Sequence, residues 1–296
     1  MKFGTLVLVG RPNVGKSTLL NTLVRQKVAI VSDKPQTTRT RILGVGHLPQ
    51  AQIVILDTPG LHKPKHQLNR KMVRTTLDSL PEADVIYAMV DARKPPGPGD
   101  RFVLEQVTAA TQARGYNGIF LLLNKVDEMG KARLLPLIDQ YRQLGEWTEI
   151  VPISAKQGDN IDRLIQLTLA CLPDEPQPLY EEDFLTDQSM RHMAAEIVRE
   201  KILQQTHAEL PYAVAVLIED FLEKDSAAHI TASIYVEKSS QKPIIIGKQG
   251  QRLKAIGTDA RIEMEQIFGV KIFLELWVKV REDWRDNERL LTELGY

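Results

Sequence analysis

Short, almost unbroken apolar runs recur through the first half of the chain, at Thr5–Val9, Gln52–Leu56, Asp84–Val90, Gly118–Leu123 and Glu149–Ile153. Between them the apolar positions fall three and four apart, at Lys16–Val24, Arg101–Ala110, Ala132–Gln143 and Ile161–Cys171. The first pattern is that of strands buried on both faces, and the second is the helical period. Their alternation predicts an α/β domain with a doubly wound, mostly parallel sheet over residues 1–172. In such sheets ligands gather at the carboxyl ends of the strands.

The pattern breaks at Leu172-Pro173-Asp174-Glu175-Pro176-Gln177-Pro178. Prolines cannot continue a helix and favour extended chain, so residues 173–180 read as a linker and 181–296 as a second domain. There the periodicity predicts a helix near Ser189–Gln205, strands near Ala213–Phe221 and His229–Glu237, a Gly-containing turn at Gly247–Gly250, a helix over Gln251–Phe268 and a strand over Val270–Val280. This is a smaller α+β unit.

Composition excludes more than it assigns. The chain is 43% apolar and 26% charged, as for an ordinary globular protein. Runs such as Gly118–Leu123 are far too short to cross a bilayer, and Met1–Gly4 leads into a strand rather than a signal segment. The single cysteine, Cys171, cannot form an internal disulfide, which fits a cytoplasmic protein. Net charge is zero but uneven: from Tyr180 onward there are 15 Lys and Arg against 21 Asp and Glu. A nucleic-acid partner has to be argued from local patches.

Three motifs fall at predicted strand ends. Gly10-Arg11-Pro12-Asn13-Val14-Gly15-Lys16-Ser17, continuing into Thr18, matches the P-loop after a strand and before a helix. Its glycines let backbone N–H groups turn inward around phosphates, Lys16 would reach the β- and γ-phosphates, and the Ser17 hydroxyl would ligate Mg²⁺. Asp57-Thr58-Pro59-Gly60 is a weak pattern by itself, but it follows a strand downstream of the P-loop. Asp57 would hold Mg²⁺ through a water, and the Gly60 N–H would sense the γ-phosphate. Asn124-Lys125-Val126-Asp127 and Ser154-Ala155-Lys156 end the next two strands. A carboxylate at Asp127 accepts from both N1–H and the 2-amino group of guanine, which adenine lacks, so GTP and GDP are preferred.

These motifs resemble those of the translation-factor-related GTPases. The resemblance implies that Lys34-Pro35-Gln36-Thr37-Thr38-Arg39 is the first switch segment, with Thr38 meeting Mg²⁺ and the γ-phosphate and Thr37 as neighbouring candidate. The catalytic set is then Lys16, Thr38, Gly60 and Asn13. Leu61 stands where many such GTPases carry a water-orienting glutamine. The subgroup with a hydrophobic residue there includes members that place K⁺ at the asparagine matching Asn13. Slow intrinsic turnover, stimulated by K⁺ or a partner, is the expectation.

In the second domain, Gly247-Lys248-Gln249-Gly250 is a Gly-x-x-Gly loop with an apolar strand read before it at Pro243–Ile246 and a basic helix after it. Lys238, Lys242, Lys248, Arg252 and Lys254 lie in a stretch without an acidic residue. The unit resembles a type II KH domain, whose loop clamps the nucleic-acid backbone. Gly247, Lys248, Gln249, Gly250, Arg252, Lys254 and Lys242 are the implied RNA contacts, and Ile244, Ile246, Leu253 and Ile256 the implied groove lining. One P-loop unit followed by one KH unit resembles the Era family of ribosome-assembly GTPases. That resemblance implies a monomer bound to the 3′ region of small-subunit (16S) ribosomal RNA and to the 30S subunit, acting in subunit biogenesis and rRNA maturation. It also implies peripheral association of some members with the inner face of the cell membrane. The competing readings are a non-enzymatic RNA-binding scaffold, kept open by Leu61, and a membrane-signalling GTPase whose second domain docks protein rather than RNA.

Overall fold

The computed structural model describes residues 1–113, 115–206, 210–224 and 226–296. The chain divides into two compact units. The first comprises residues 1–29, 38–64 and 69–187. Its elements are β1 (Lys2–Gly10), α1 (Lys16–Val24), β2 (Ile42–Leu48), β3 (Ala51–Asp57), α2 (Gln67–Ser79, without its first two residues), β4 (Val85–Asp91), α3 (Pro98–Ala113), β5 (Gly118–Asn124), α4 (Leu134–Arg142), β6 (Glu149–Ile153) and α5 (Ile161–Cys171). The sheet order is β2-β3-β1-β4-β5-β6, parallel except for β2, which runs antiparallel to β3.

Alternation along the central strands feeds two cores. Leu6 and Leu8, Tyr87 and Met89, and Phe120 and Leu122 face one. Val7 and Val9, Ile86 and Ala88, and Leu121 and Leu123 face the other. That is why these strands read as continuous apolar runs: both faces are covered. The parallel register places Gly10, Asp57, Asp91 and Asn124 along one edge.

Two elements are invisible to periodicity. β2 carries Gly44 and Gly46, which weaken a strand signal. Gly44 is required by packing, since a Cβ there would sit 2.6 Å from Leu20 Cδ1. α2 turns in mainly Leu68, Met72 and Thr76, too few apolar residues to stand out.

The Pro-rich segment differs from the linker expected over 173–180. Phe3 donates its N–H to the Pro173 carbonyl, and the Gln52 Oε1 accepts from the N–H groups of Leu179 and Tyr180. Beyond residue 180, Phe184 stacks on Tyr180 and Thr186 donates to the Leu43 carbonyl. The chain through Asp187 is therefore hydrogen-bonded to the first unit, and the boundary expected at 181 lies inside it.

The second unit contains residues 188–296 together with 30–37 and 65–68. It holds α6 (Met190–Gln205), β7 (Ala215–Lys224), β8 (Ala227–Val236), α7 (Lys242–Ile246), α8 (Gln251–Phe268), β9 (Lys271–Val280) and α9 (Glu288–Glu293). The sheet order is β7-β8-β9, antiparallel then parallel, and α6 and α8 share one core with it. The Ser189 Oγ caps α6 by accepting from the His192 N–H. Residues 243–246, read as a strand, form the short helix α7 instead. Pro243 sits at its first turn, where a missing N–H costs nothing and the fixed φ suits a helix.

Trp284 is fully buried in this unit and donates its indole N–H to the Ala213 carbonyl at 3.0 Å. Trp284→Ala should therefore destabilise the chain by about 3–5 kcal/mol. Thermal unfolding checks this, and a loss below about 1 kcal/mol would contradict the packing described.

Candidate functional site

The P-loop turns between β1 and α1 through two left-handed residues, Asn13 (φ 65°) and Gly15 (φ 104°). A Cβ on Gly15 would lie 2.2 Å from Asn124 Nδ2, so the glycine is needed for close approach as well as for its φ. Asparagine tolerates the left-handed region better than most residues, which accounts for Asn13 on backbone grounds. Gly10, Pro12 and Val14 complete the turn around the buried Lys16, while Arg11 points away to pair with Asp100 at 3.0 Å. Thr18 follows in the first turn of α1. Gly60 comes against the loop, since a Cβ there would meet the Pro12 N at 2.5 Å.

Lys16 Nζ donates to the carbonyls of Gly10 and Arg11 at 3.4 and 3.2 Å. Burial lowers its pKa to about 8, against the opposing pull of Asp57. Asp57 is fully buried, and burial raises its pKa against the influence of Lys16 and hydrogen bonds from Ser17 and Thr38. The Ser17 Oγ donates to Asp57 Oδ2 at 2.6 Å and lies 2.8 Å from the Thr38 Oγ1. Thr38 also donates to Asp57 Oδ2, at 3.3 Å. The other carboxylate oxygen, Oδ1, is buried with no hydrogen-bond partner among the described residues. Two hydroxyls and one carboxylate, with one of its oxygens unsatisfied, are hard oxygen donors of the kind that suits Mg²⁺.

The geometry tells Thr37 and Thr38 apart. Thr37 donates its hydroxyl to the Lys34 carbonyl, whereas Thr38 reaches Ser17 and Asp57. Leu61 is 0% exposed, inside the core, and its N–H donates to the Gly10 carbonyl. Thr58 donates to the Leu8 carbonyl, and the Pro59 carbonyl accepts from Thr76.

The base-side loops are stitched to the P-loop. Asn124 Nδ2 donates to the Val14 carbonyl at 2.7 Å, and its Oδ1 accepts the Ala155 N–H at 2.9 Å. Lys125 Nζ donates to the Asn13 carbonyl and to Asp91 Oδ2. The Ser154 Oγ accepts the Gln157 N–H, and Asp127 and Lys156 are exposed. Two further contributors carry no sequence motif. Asp91 ends β4 on the same edge as Asp57 and Asn124, and position is its only signal. Burial acts to raise its carboxyl, but hydrogen bonds from Arg93 and the charge and hydrogen bond of Lys125 outweigh it and hold it at about 2. Thr22, further along α1, ties the Ala155 carbonyl with its hydroxyl at 2.8 Å.

In the second unit, Gly247 (φ 74°), Gln249 (φ 51°) and Gly250 (φ 77°) shape the loop before α8. A Cβ on Gly247 would lie 2.7 Å from the Arg252 Cβ. Lys242, Lys248 and Lys254 are exposed, but the Arg252 guanidinium donates to the Ile244 carbonyl and braces the loop. A groove of about 400 Å³ opens beside this loop, with Leu253, Lys254, Gly257, Leu274 and Leu276 on its walls. Ile256, expected in that lining, is 0% exposed in the core, because α8 turns it toward the sheet. Ile244 and Ile246 lie on α7 outside the groove lining.

A phosphate loop, a strand-end Asp-x-x-Gly and an Asn-Lys-x-Asp motif on one sheet edge, followed by an αββααβ unit with a Gly-x-x-Gly loop, define a P-loop GTPase joined to a KH domain. Family models agree: one described as a 50S ribosome-binding GTPase matches residues 5–125, and the KH domain model matches residues 209–285. The chain belongs to the Era family of GTPases. It is 45% identical over 295 residues to GTPase Era of Geobacter metallireducens, covering 99% of this chain and 97% of that protein. To GTPase Era of Leuconostoc citreum it is 46% identical over 297 residues, covering 100% and 96%. Two crystal structures superpose with a TM-score of 0.94 at 45% identity, covering 100% of this chain and 99% of theirs. One is a variant of Aquifex aeolicus Era bound to GDP·AlF4⁻. The other is Era with MgGDPNP and nucleotides 1506–1542 of 16S ribosomal RNA.

A triphosphate bound against the Lys16 ammonium would stabilise it and raise its pKa above about 8. Nucleotide binding then takes up a proton near pH 8, and affinity is full below that pH and falls as pH rises through it. Calorimetry in buffers of different ionisation enthalpy checks the uptake. Equal affinity at pH 7 and pH 9 would show that Lys16 does not meet the phosphates.

Proposed function

We propose that this chain binds GTP with Mg²⁺, hydrolyses it, and uses the nucleotide state to control binding of the 3′ region of small-subunit ribosomal RNA during 30S assembly. The observation that carries the reading is the Ser17–Thr38–Asp57 constellation with its unsatisfied Asp57 Oδ1, in one chain with the Gly-x-x-Gly groove. The matching GTPase family is described by its binding to the large subunit, but a relative 45% identical over the full chain was crystallised with 16S RNA. That full-length likeness favours the small subunit.

Phosphates enter where the P-loop N–H groups and the N-terminus of α1 converge. Lys16 exchanges two carbonyl acceptors for phosphate oxygens. Ser17, Thr38 and Asp57 would give up their mutual hydrogen bonds to hold Mg²⁺ with the same oxygens, and the ion would supply positive charge against the phosphates. The Gly60 N–H faces the γ-phosphate. Asp127 accepts from the guanine edge, while Asn124 and Lys125 hold the loops around it. The buried Leu61 side chain gives the attacking water no partner, so intrinsic turnover is slow. A monovalent cation at Asn13 belongs to this proposal for that reason, and hydrolysis in K⁺ against Na⁺ with Asn13→Ala tests it. Action as a cytoplasmic monomer, with peripheral attachment to the inner face of the membrane, completes the reading. No helix among the described residues is long and apolar enough to cross a bilayer.

Phosphate release by the purified chain with RNA and K⁺ distinguishes an enzyme from a nucleotide-locked scaffold. Release no faster than that of Lys16→Ala would favour the scaffold. Asp127→Asn should move preference from GTP toward xanthosine triphosphate, whose 2-oxo group accepts from the new amide. Retained GTP selectivity in competition binding would remove Asp127 from the base. Lys248→Ala or Lys254→Ala should lower RNA affinity and flatten its salt dependence, by close to one counterion for each phosphate that the lysine neutralises. An unchanged slope would take these lysines off the RNA backbone.

A further inference from the structure

β9 is the edge strand of the second sheet, and its two sides carry different chemistry. Alternation turns Ile272, Leu274, Leu276 and Val278 toward α8, with Leu274 and Leu276 on the groove wall. Phe273, Glu275 and Trp277 therefore project from the opposite face. Trp277 is 54% exposed and Phe273 is 47% exposed. In register beside Phe273, the His229 ring of β8 stacks on it at 4.6 Å between centroids and 15° between planes. Basic groups flank these rings at both ends of the strand. Lys271 Nζ stands 5.5 Å from the Phe273 ring centre, and Lys279 and Arg281 stand over Tyr235 at 6.0 and 5.1 Å.

Single exposed apolar residues need no explanation. Two large rings on one face of one strand, Phe273 already stacked and with Lys271 at its ring, have the composition of a base-stacking platform. Phe273 and Trp277 lie four residues apart, roughly 13 Å along the strand, enough for separate bases. Glu275 between them keeps phosphates off the middle of the strand; Lys271 stands at one end, and Lys279 and Arg281 at the other would exchange their partners Glu219 and Glu293 for RNA phosphates. The groove and the rings lie on opposite faces of β9, and because β9 is the edge of the sheet only that edge separates them.

We infer that this open face, through Phe273 and Trp277, stacks bases of single-stranded RNA that continues from the Gly-x-x-Gly groove around the β9 edge. The inference rests on the groove binding RNA, and the test separates the two. A short single-stranded RNA of about four nucleotides fills one KH groove, and one of about twelve extends beyond it. With the full chain, the double variant Phe273→Ala/Trp277→Ala should lose at least tenfold in affinity for the long RNA and nothing for the short one. Base–aromatic stacking of about 1–3 kcal/mol per base sets that scale. Phe273→Tyr/Trp277→Tyr should restore long-RNA binding. Long RNA should quench Trp277 fluorescence, identified by its loss in Trp277→Phe, and short RNA should not. Gly250→Asp should weaken both RNAs. If the unaltered chain binds neither RNA, the groove reading fails and takes the inference with it. If short and long RNAs bind but the double variant binds the long one undiminished, the groove stands and the inference is overturned. If that variant keeps long-RNA affinity yet loses association with intact small subunits, the face docks a protein and the inference is likewise overturned.

Discussion

The side-chain amide of Asn124 is the bond between the phosphate and base halves of the nucleotide site. It donates to the Val14 carbonyl in the P-loop and accepts from Ala155 in the last strand-end loop, and it is buried. A net hydrogen bond contributes only about 1 kcal/mol, but leaving a buried partner unmade costs about 1–3 kcal/mol. Removing this one side chain would strand both the Val14 carbonyl and the Ala155 N–H. Gly15 has no Cβ because Asn124 occupies that space, and Lys125 adds a charge-assisted bond to the Asn13 carbonyl. The distance from phosphate loop to guanine loop is thus set by bonds that exist before any nucleotide arrives. Such preorganisation lowers the ordering cost of any ligand that spans the two loops.

Motifs are legible in the sequence where chemistry restricts residue type at fixed spacing. Only glycine suits Gly15 and Gly247, where a Cβ would meet another side chain at under 3 Å, so those loops announce themselves. The strands are legible because burial on both faces leaves a continuous apolar run. What stays hidden is set by partners distant in sequence. The choice between Thr37 and Thr38 depends on which hydroxyl reaches Asp57, and no local pattern encodes that. α7 reads as a strand because three isoleucines favour strands locally, while Pro243 and tertiary packing impose a helical turn. Ile256 reads as groove lining because apolar residues on one helix look alike until the core is known. Asp91 and Thr22 act by orienting others, and nothing in their neighbours marks them.

The second unit adds a constraint of a different kind. Its segment 30–37 is held by α6: Glu200 Oε1 accepts the Val31 N–H at 2.8 Å, and the fully buried Arg199 donates to the Thr37 carbonyl. Its segment 65–68 is held by Asp286, which accepts the Gln67 N–H at 2.9 Å and bonds His66 Nδ1 at 2.7 Å. Hydrogen bonds from Gln67 and His66 accordingly lower the Asp286 pKa. Thr38, the next residue in the chain after that first segment, has its hydroxyl on Ser17 and Asp57 in the first unit.

A buried guanidinium is costly to desolvate, and Arg199 is matched by its Glu196 partner, with Nη1 lacking a hydrogen bond among the described residues. Replacing such a buried pair as a whole by apolar residues of similar volume would often be neutral for stability, so stability alone does not explain it. Its use is geometric: a rigid planar donor fixes the Thr37 carbonyl where a flexible side chain would not. The peptide bond between Thr37 and Thr38 then joins a carbonyl fixed by Arg199 to a hydroxyl bonded to Ser17 and Asp57. A displacement of Thr38 cannot be absorbed by slack in the preceding residue. It has to be taken up by backbone rotation at that peptide or by release of the Arg199 bond.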